Sequence, residues 1–157
     1  MNISEERCVQ RDRKTLLSVP VDICRPDEFI SIIKSALDIP GPKTIFAINP
    51  EKIMRAQKDR ELFVALQESD FLIPDGIGTL LGLRMIYGRE MSKLSRTPGI
   101  WLALELMKLA SERKLGVFIF GARPVSNARA VENLLKRFPS LRIVGTEHGY
   151  LSEKQYD

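Results

Sequence analysis

Apolar positions change period repeatedly along this chain, and the changes mark out its elements. Residues 1–15 are polar and charged and read as a flexible N-terminal segment. The folded part is expected over residues 16–157. Leu16 to Ile23 is a short apolar run that predicts a strand, which Pro20 confines to an edge or a bend. From Pro26, the residues Phe29, Ile32, Ile33 and Ala36 recur at helical spacing up to Leu37. Beyond the Pro40-Gly41-Pro42 break, Thr44 to Ile48 is continuously apolar, as in a strand buried on both faces. Asn49-Pro50-Glu51 then forms a corner, with Asn49 as N-cap and Pro50 at the first helical position.

One or two helices reach Glu68, and Phe71-Leu72-Ile73 is a short strand stopped by Pro74-Asp75-Gly76. Ile77 to Tyr87 is apolar around most of its circumference, which predicts a buried helix. A polar loop from Gly88 to Ser95 carries Arg89 and Lys93, with Arg96 just beyond. Pro98 opens an amphipathic helix through Trp101 and Leu104 to about Arg113, Trp101 reading as core. Gly116 to Phe120 predicts the most clearly buried strand, followed by a helix from Pro124 to about Arg137. A last strand is expected over Leu141 to Val144, ending at Gly145, with the start of a loop or helix in the tail.

Strands alternating with helices require crossover connections, and hence an α/β fold with a mostly parallel sheet and helices on both faces. Ligands in such folds bind at the carboxyl ends of the strands. Four of those ends carry polar or glycine punctuation: Asn49, Asp75-Gly76, Gly121-Ala122-Arg123, and the stretch from Gly145 to Tyr150.

Composition narrows the function classes. The chain has 157 residues, 44% hydrophobic and 28% charged, as in an ordinary globular domain. No apolar run is long enough to span a bilayer, and the charged N-terminus lacks the apolar centre of a secretory signal. Two cysteines, Cys8 and Cys24, and one histidine, His148, make a zinc site a poor expectation. A reduced, cytoplasmic setting is the simplest reading. The net charge of +4 favours an anionic small molecule or lipid surface. With aromatics at only 7% and no basic-aromatic interleaving, nucleic acid is not an expected partner.

Each strand end admits a chemical and a plainer reading. Gly121-Ala122-Arg123-Pro124 lets backbone approach a phosphate at a helix start, or is an ordinary turn. It is not GxGxxG, so a dinucleotide cofactor is not expected. Asp75 is placed to act as a general base toward a hydroxyl, or to cap a helix. Asn49 is first of all a helix cap. Arg96 suits the paired acceptor oxygens of a diphosphate, or is a solvated loop cation. His148, between Glu147 and Gly149, is placed to touch a ligand, or is a structural or exposed loop histidine.

Five segments taken in order resemble one family: FAINPEK (Phe46 to Lys52), PDGIG (Pro74 to Gly78), SRTPG (Ser95 to Gly99), VFIFGARP (Val117 to Pro124) and VGTEHGYL (Val144 to Leu151). The resemblance is to bacterial glycosyltransferases that include the N-acetylmannosaminyltransferases of wall teichoic acid and enterobacterial common antigen synthesis. It implies a Rossmann-like, metal-independent, inverting enzyme with no cofactor. Such an enzyme moves N-acetylmannosamine or a similar sugar from a UDP donor to a polyprenyl-diphosphate-linked acceptor. Asp75 falls on the general base and Arg96 on the arginine that faces the diphosphate. Asn49, Gly76, the Gly121-Ala122-Arg123 turn and Gly149-Tyr150 fall among the substrate contacts.

The resemblance also implies work at the inner face of the cell membrane, with peripheral membrane contact, and allows a homo-oligomer. Three departures stand out. Ala47 replaces a frequent Thr, and Trp101 replaces a usual acidic residue. The family's later strand, its Gly-x-Pro-Lys-Gln-Glu segment and its basic C-terminal appendage are not in this sequence, so the domain reads as truncated. The alternative expectation is therefore a non-catalytic nucleotide-sugar-binding or assembly subunit.

Overall fold

A computed structural model describes residues 12–91 and 94–151. The chain divides into two compact units, Met1–Leu102 and Ala103–Asp157.

The first unit opens with a hairpin in which β1 (Arg13–Leu16) pairs antiparallel with β2 (Val19–Asp22). Its turn residues Leu17 and Ser18 have φ of 49° and 62°. Such left-handed pairs match the twist of a two-residue hairpin, a task usually given to Asn-Gly. The side chains of Gln57 and Gln67 hold this turn by donating to the Leu17 and Ser18 carbonyls. The run expected as one strand therefore folds back on itself. Arg13, Lys14 and Thr15, expected in the flexible segment, are ladder residues instead; residues 1–11 lie outside the described part.

Helix α1 (Pro26–Ala36) starts from a proline in its first turn, with Asp27 and Glu28 complementing the helix dipole. Strand β3 (Ile45–Ile48) leads into α2 (Pro50–Ala56), and a second short helix, α3 (Arg60–Gln67), is capped by Asp59. Strand β4 (Phe71–Pro74) is fully buried and pairs parallel with β3, Ile48 opposite Pro74. The buried Asp22 carboxylate joins the hairpin to this pair. It accepts from Arg13 Nε at 2.6 Å and from the Leu72 amide at 2.9 Å. Val19, Val21, Ile48, Ile53, Leu66, Leu72 and Leu83 make the centre of the core.

Helix α4 (Ile77–Tyr87) follows directly on β4. Its first turn lies against that of α2 so closely that a Cβ on Gly78 would sit 2.6 Å from Pro50 Cγ. Contrary to the expectation of a wholly buried helix, only Thr79, Leu80 and Leu83 are buried, while Ile77, Leu81, Met85 and Ile86 are exposed. One flank packs on the core; periodicity alone does not say whether the other has a neighbour. A 3-10 turn over Gly88–Met91 follows, and the guanidinium of Arg84 donates to the carbonyls of Met91 and Leu94 beyond it. Helix α5 (Gly99–Glu112) begins at the end of this unit.

In the second unit, β5 (Gly116–Phe120) and β6 (Arg142–Glu147) pair in parallel around α6 (Pro124–Arg137). The last strand runs through Gly145 to Glu147, further than expected. It accommodates Val144 as an extra residue, because Val117 faces Ile143 and Phe118 faces Gly145. The Phe118 ring lies across Gly145, where a Cβ would meet it at 2.6 Å. Strand β5 is not buried on both faces: Phe118 and Phe120 are about 60% exposed, alternating with half-buried Val117 and Ile119. An unbroken apolar run predicts a strand but not how many of its faces are covered.

The α/β, Rossmann-like class is thus observed, with parallel strand pairs joined by crossover helices. Among the described residues the strands form three two-stranded ladders rather than one long sheet. The tail from residue 152 lies outside the described part. No helix among the described residues is long and apolar enough to cross a membrane.

Candidate active site

The site in the first unit is built where β3 and β4 end. Asn49 caps α2 as expected, its Oδ1 accepting from the Lys52 amide at 2.8 Å. The Asp75 amide donates to the Ile48 carbonyl at 2.9 Å, extending the parallel pairing by one rung. Gly76 then takes φ of 104° to turn the chain into α4. A side chain there would be strained, which explains a glycine at this corner. The Thr79 hydroxyl donates back to the Ile48 carbonyl at 3.1 Å, pinning the new helix to the strand it left.

This corner aims Asp75 at the segment before α5. Arg96 Nε donates to Asp75 Oδ1 at 3.2 Å, and the Gly99 amide donates to Asp75 Oδ2 at 3.2 Å. The Thr97 amide donates to the Pro74 carbonyl at 2.9 Å, so this segment runs alongside the end of β4. Asp75 is about one-quarter exposed and Arg96 nearly half exposed. Both groups therefore face solvent from one corner while holding each other. Gly99 belongs there on steric grounds. A Cβ on it would come within 3.3 Å of both Ala47 Cβ and Asp75 Oδ2.

Two further residues stand at this corner without having been singled out from the sequence. Lys52 reaches back from the first turn of α2, donating to the Ala47 carbonyl at 2.8 Å with its ammonium 5.4 Å from the centre of the Phe46 ring. Burial lowers its pKa, partly offset by the nearby Asp75 charge. The capping geometry that places residue 52 three positions after Asn49 was a signal for it. The other is Thr97, fully buried, whose hydroxyl has no partner among the described residues. Trp101 is half-buried, consistent with a packing role.

The second unit gathers its own strand ends. Gly121 and Ala122 have φ of 111° and 61°, so the turn after β5 is left-handed at two successive residues. The Gly121 amide donates to the Glu147 carbonyl, and the Gly149 amide to the Ala122 carbonyl, both at 2.9 Å. Gly149 lies close against the Gly121 backbone, where a Cβ would come within 3.2 Å of the Gly121 Cα.

Asn127, buried in the first turn of α6, locks the two strand ends together. Its Nδ2 donates to the carbonyls of Gly121 and Glu147 at 3.0 Å, and its Oδ1 accepts from the Thr146 hydroxyl at 2.7 Å. It too escaped sequence reading, being one asparagine on a polar helix face. A cleft of about 400 Å³ lies over this lock, lined by Pro124, Asn127, Ala128, Val131, Thr146, Glu147 and His148. Arg123 stands at the N-cap of α6 without capping it by its side chain. The Tyr150 amide donates to His148 Nδ1 at 3.3 Å, and the Tyr150 side chain is largely exposed.

The sequence-selected residues thus fall into two sets. Asn49, Asp75, Gly76 and Arg96 share one corner of the first unit. Gly121, Ala122, Arg123, Gly149 and Tyr150 share the strand ends of the second.

Comparison with known proteins identifies the family. The Glycosyl transferase WecG/TagA/CpsF family model matches residues 14–157. An N-acetylglucosaminyldiphosphoundecaprenol N-acetyl-beta-D-mannosaminyltransferase of Bacillus subtilis is 28% identical over 142 residues, covering 90% of this chain and 54% of that protein. The protein of the same name from Bacillus spizizenii is 31% identical over 111 residues, covering 71% of this chain and 42% of its own length. The chain therefore spans about half the length of these curated relatives.

Proposed function

Because the chain belongs to the WecG/TagA/CpsF glycosyl transferase family, we propose that it carries the strand-end portion of a sugar-transfer site. The donor is a UDP-sugar, N-acetylmannosamine or a similar hexose. The acceptor is a sugar on a polyprenyl diphosphate, as in the relatives' names. The observation that carries this reading is the contact between Asp75 and Arg96 at 3.2 Å.

Asp75 takes the proton of the acceptor hydroxyl as that oxygen attacks the anomeric carbon. Arg96 meets the negative charge that grows on the departing UDP, as guanidinium groups do for diphosphates. The two roles are coupled by the contact. A diphosphate competes for the same guanidinium, and each step of Arg96 toward the leaving group releases Asp75 Oδ1 toward the acceptor. A single displacement by one activated hydroxyl inverts the anomeric centre. With an arginine and backbone amides to receive the charge, the transfer is read as metal-independent. Gly121, Ala122, Arg123, Gly149 and Tyr150 are assigned to nucleotide contacts, where the left-handed turn leaves backbone close to a ligand. Asn49 and Gly76 shape the acceptor side.

The test pairs calorimetry with turnover. UDP binding is measured beside UDP release from UDP-N-acetylmannosamine with a lipid-diphosphate acceptor, with and without a chelator. Asp75→Ala is expected to bind UDP and fold normally yet give no transfer; unchanged turnover removes Asp75 from the chemistry. Arg96→Ala is expected to weaken UDP binding by about tenfold, the loss of one charge-assisted contact. Equal affinity refutes its role. Binding without turnover by the unaltered chain favours a nucleotide-sugar-binding subunit.

A further inference from the structure

Helix α4 begins two residues after Asp75 and leaves an apolar strip facing outward. Ile77, Leu81 and Met85 are 65%, 52% and 87% exposed. Positions four apart on an α-helix differ by only about 40° around the axis, so the three side chains form one line about 12 Å long. The Gly99 amide that binds the Asp75 carboxylate is followed in the chain by Ile100, 71% exposed. Both segments that build the charged corner thus continue into exposed apolar residues. Soluble proteins seldom leave contiguous apolar surface without a use for it.

We propose that this strip seats the first isoprene units of the acceptor's polyprenyl chain, an inference that rests on the transfer reading above. The strip starts at the corner where that reading puts the acceptor sugar and leads away from it. An acceptor of this class carries its chain one diphosphate away from its sugar, so a chain leading away from the corner along α4 meets the apolar line. A second copy of the chain suits the strip less well. A stable dimer buries roughly 800 Å² per partner, and a line of three side chains about 12 Å long offers far less.

The experiment compares two probes with one headgroup: N-acetylglucosaminyl diphosphate carrying a farnesyl chain, and the same carrying a methyl group. The unaltered chain is expected to bind the farnesyl probe at least about tenfold more tightly. Leu81→Ser combined with Met85→Ser is expected to abolish that gain while leaving methyl-probe affinity and the circular dichroism spectrum unchanged. Ile86→Ser, exposed on the same helix but turned about 180° from Ile77, is expected to keep the gain. A farnesyl advantage that survives the double substitution overturns the proposal, as does one lost equally in Ile86→Ser.

Binding to phosphatidylcholine vesicles free of acceptor, abolished by the double substitution, overturns it in favour of a membrane-contact face. Loss of self-association in the double variant, seen by sedimentation, overturns it in favour of an interface between copies. Failure of the unaltered chain to bind the methyl probe instead removes the transfer reading, and this proposal with it.

Discussion

Asp59 shows how one carboxylate can write a pH dependence into this fold. It caps α3 by accepting from the Leu62 amide at 3.0 Å, with Arg55 Nε at 3.4 Å. The Leu62 hydrogen bond chiefly, with help from Arg55, lowers its pKa below the ordinary 3.8. A depressed folded value means the carboxylate is favoured by folding. Its contribution is complete above the unfolded value and disappears as pH falls through the folded one. Urea midpoints between pH 7 and pH 2.5 are expected to fall less steeply in Asp59→Asn, which keeps a cap without the charge; an identical slope would remove Asp59 from the acid response.

Asn127 is the opposite case, a neutral side chain whose value is geometric. Asn127→Ala removes three hydrogen bonds, though the Glu147 carbonyl keeps the Gly121 amide, and is expected to cost about 1–2 kcal/mol by denaturant titration. It should also loosen the Gly121-Ala122 turn. The Asn127 lock was not legible from the sequence, and the Asn49 cap pointed to the position of Lys52 but not to its contact with Ala47. Both depend on which residue a short side chain meets across a turn, and local patterning carries no such information.

At the scale of elements, the helices were the most legible. Caps and prolines such as Asn49-Pro50, and apolar spacing such as Phe29, Ile33 and Ala36, are written in neighbouring residues. The hairpin was missed because its turn lacks glycine and asparagine. Leu17 and Ser18 are held left-handed by Gln57 and Gln67 from α2's C-cap and from α3, tens of residues away. That conformation costs an L-residue roughly 1 kcal/mol. Replacing the pair by Asn-Gly is therefore expected to raise stability by up to about 1 kcal/mol, read as a higher urea midpoint with an unchanged slope. A lower midpoint would show that the leucine contributes more by packing than its backbone costs. Exposure of Phe118 and Phe120 on β5 was illegible for a related reason: coverage of a strand face is decided by other elements.

For the whole molecule, alternation of strands and helices was enough to give the α/β class; the strand-end rule singled out Asp75, and Arg96 was singled out separately as a cation suited to a diphosphate. Their direct contact was not predictable, since it needs the Thr97 and Gly99 amides to draw the intervening segment across the end of β4. Charge also acts at this scale. With 24 basic against 20 acidic residues, the molecule attracts anions over distances that salt shortens, the screening length falling from about 10 Å at 0.1 M to about 3 Å at 1 M. UDP affinity is expected to drop across that range, and to drop less in Arg96→Ala; a salt-independent affinity would argue that the nucleotide is held by neutral contacts alone.

The close approach of Gly78 to Pro50 carries a consequence for how this sequence can vary over time. The separation of two helix starts is set there by a hydrogen atom in place of a methyl group, against a ring that cannot swing aside. Any other amino acid at 78 must displace the Pro50 ring or move the two helix starts apart, next to the corner that carries residue 75. Drift at that position is accordingly tied to residue 50, so that a pair with no chemistry of its own restrains the corner beside it.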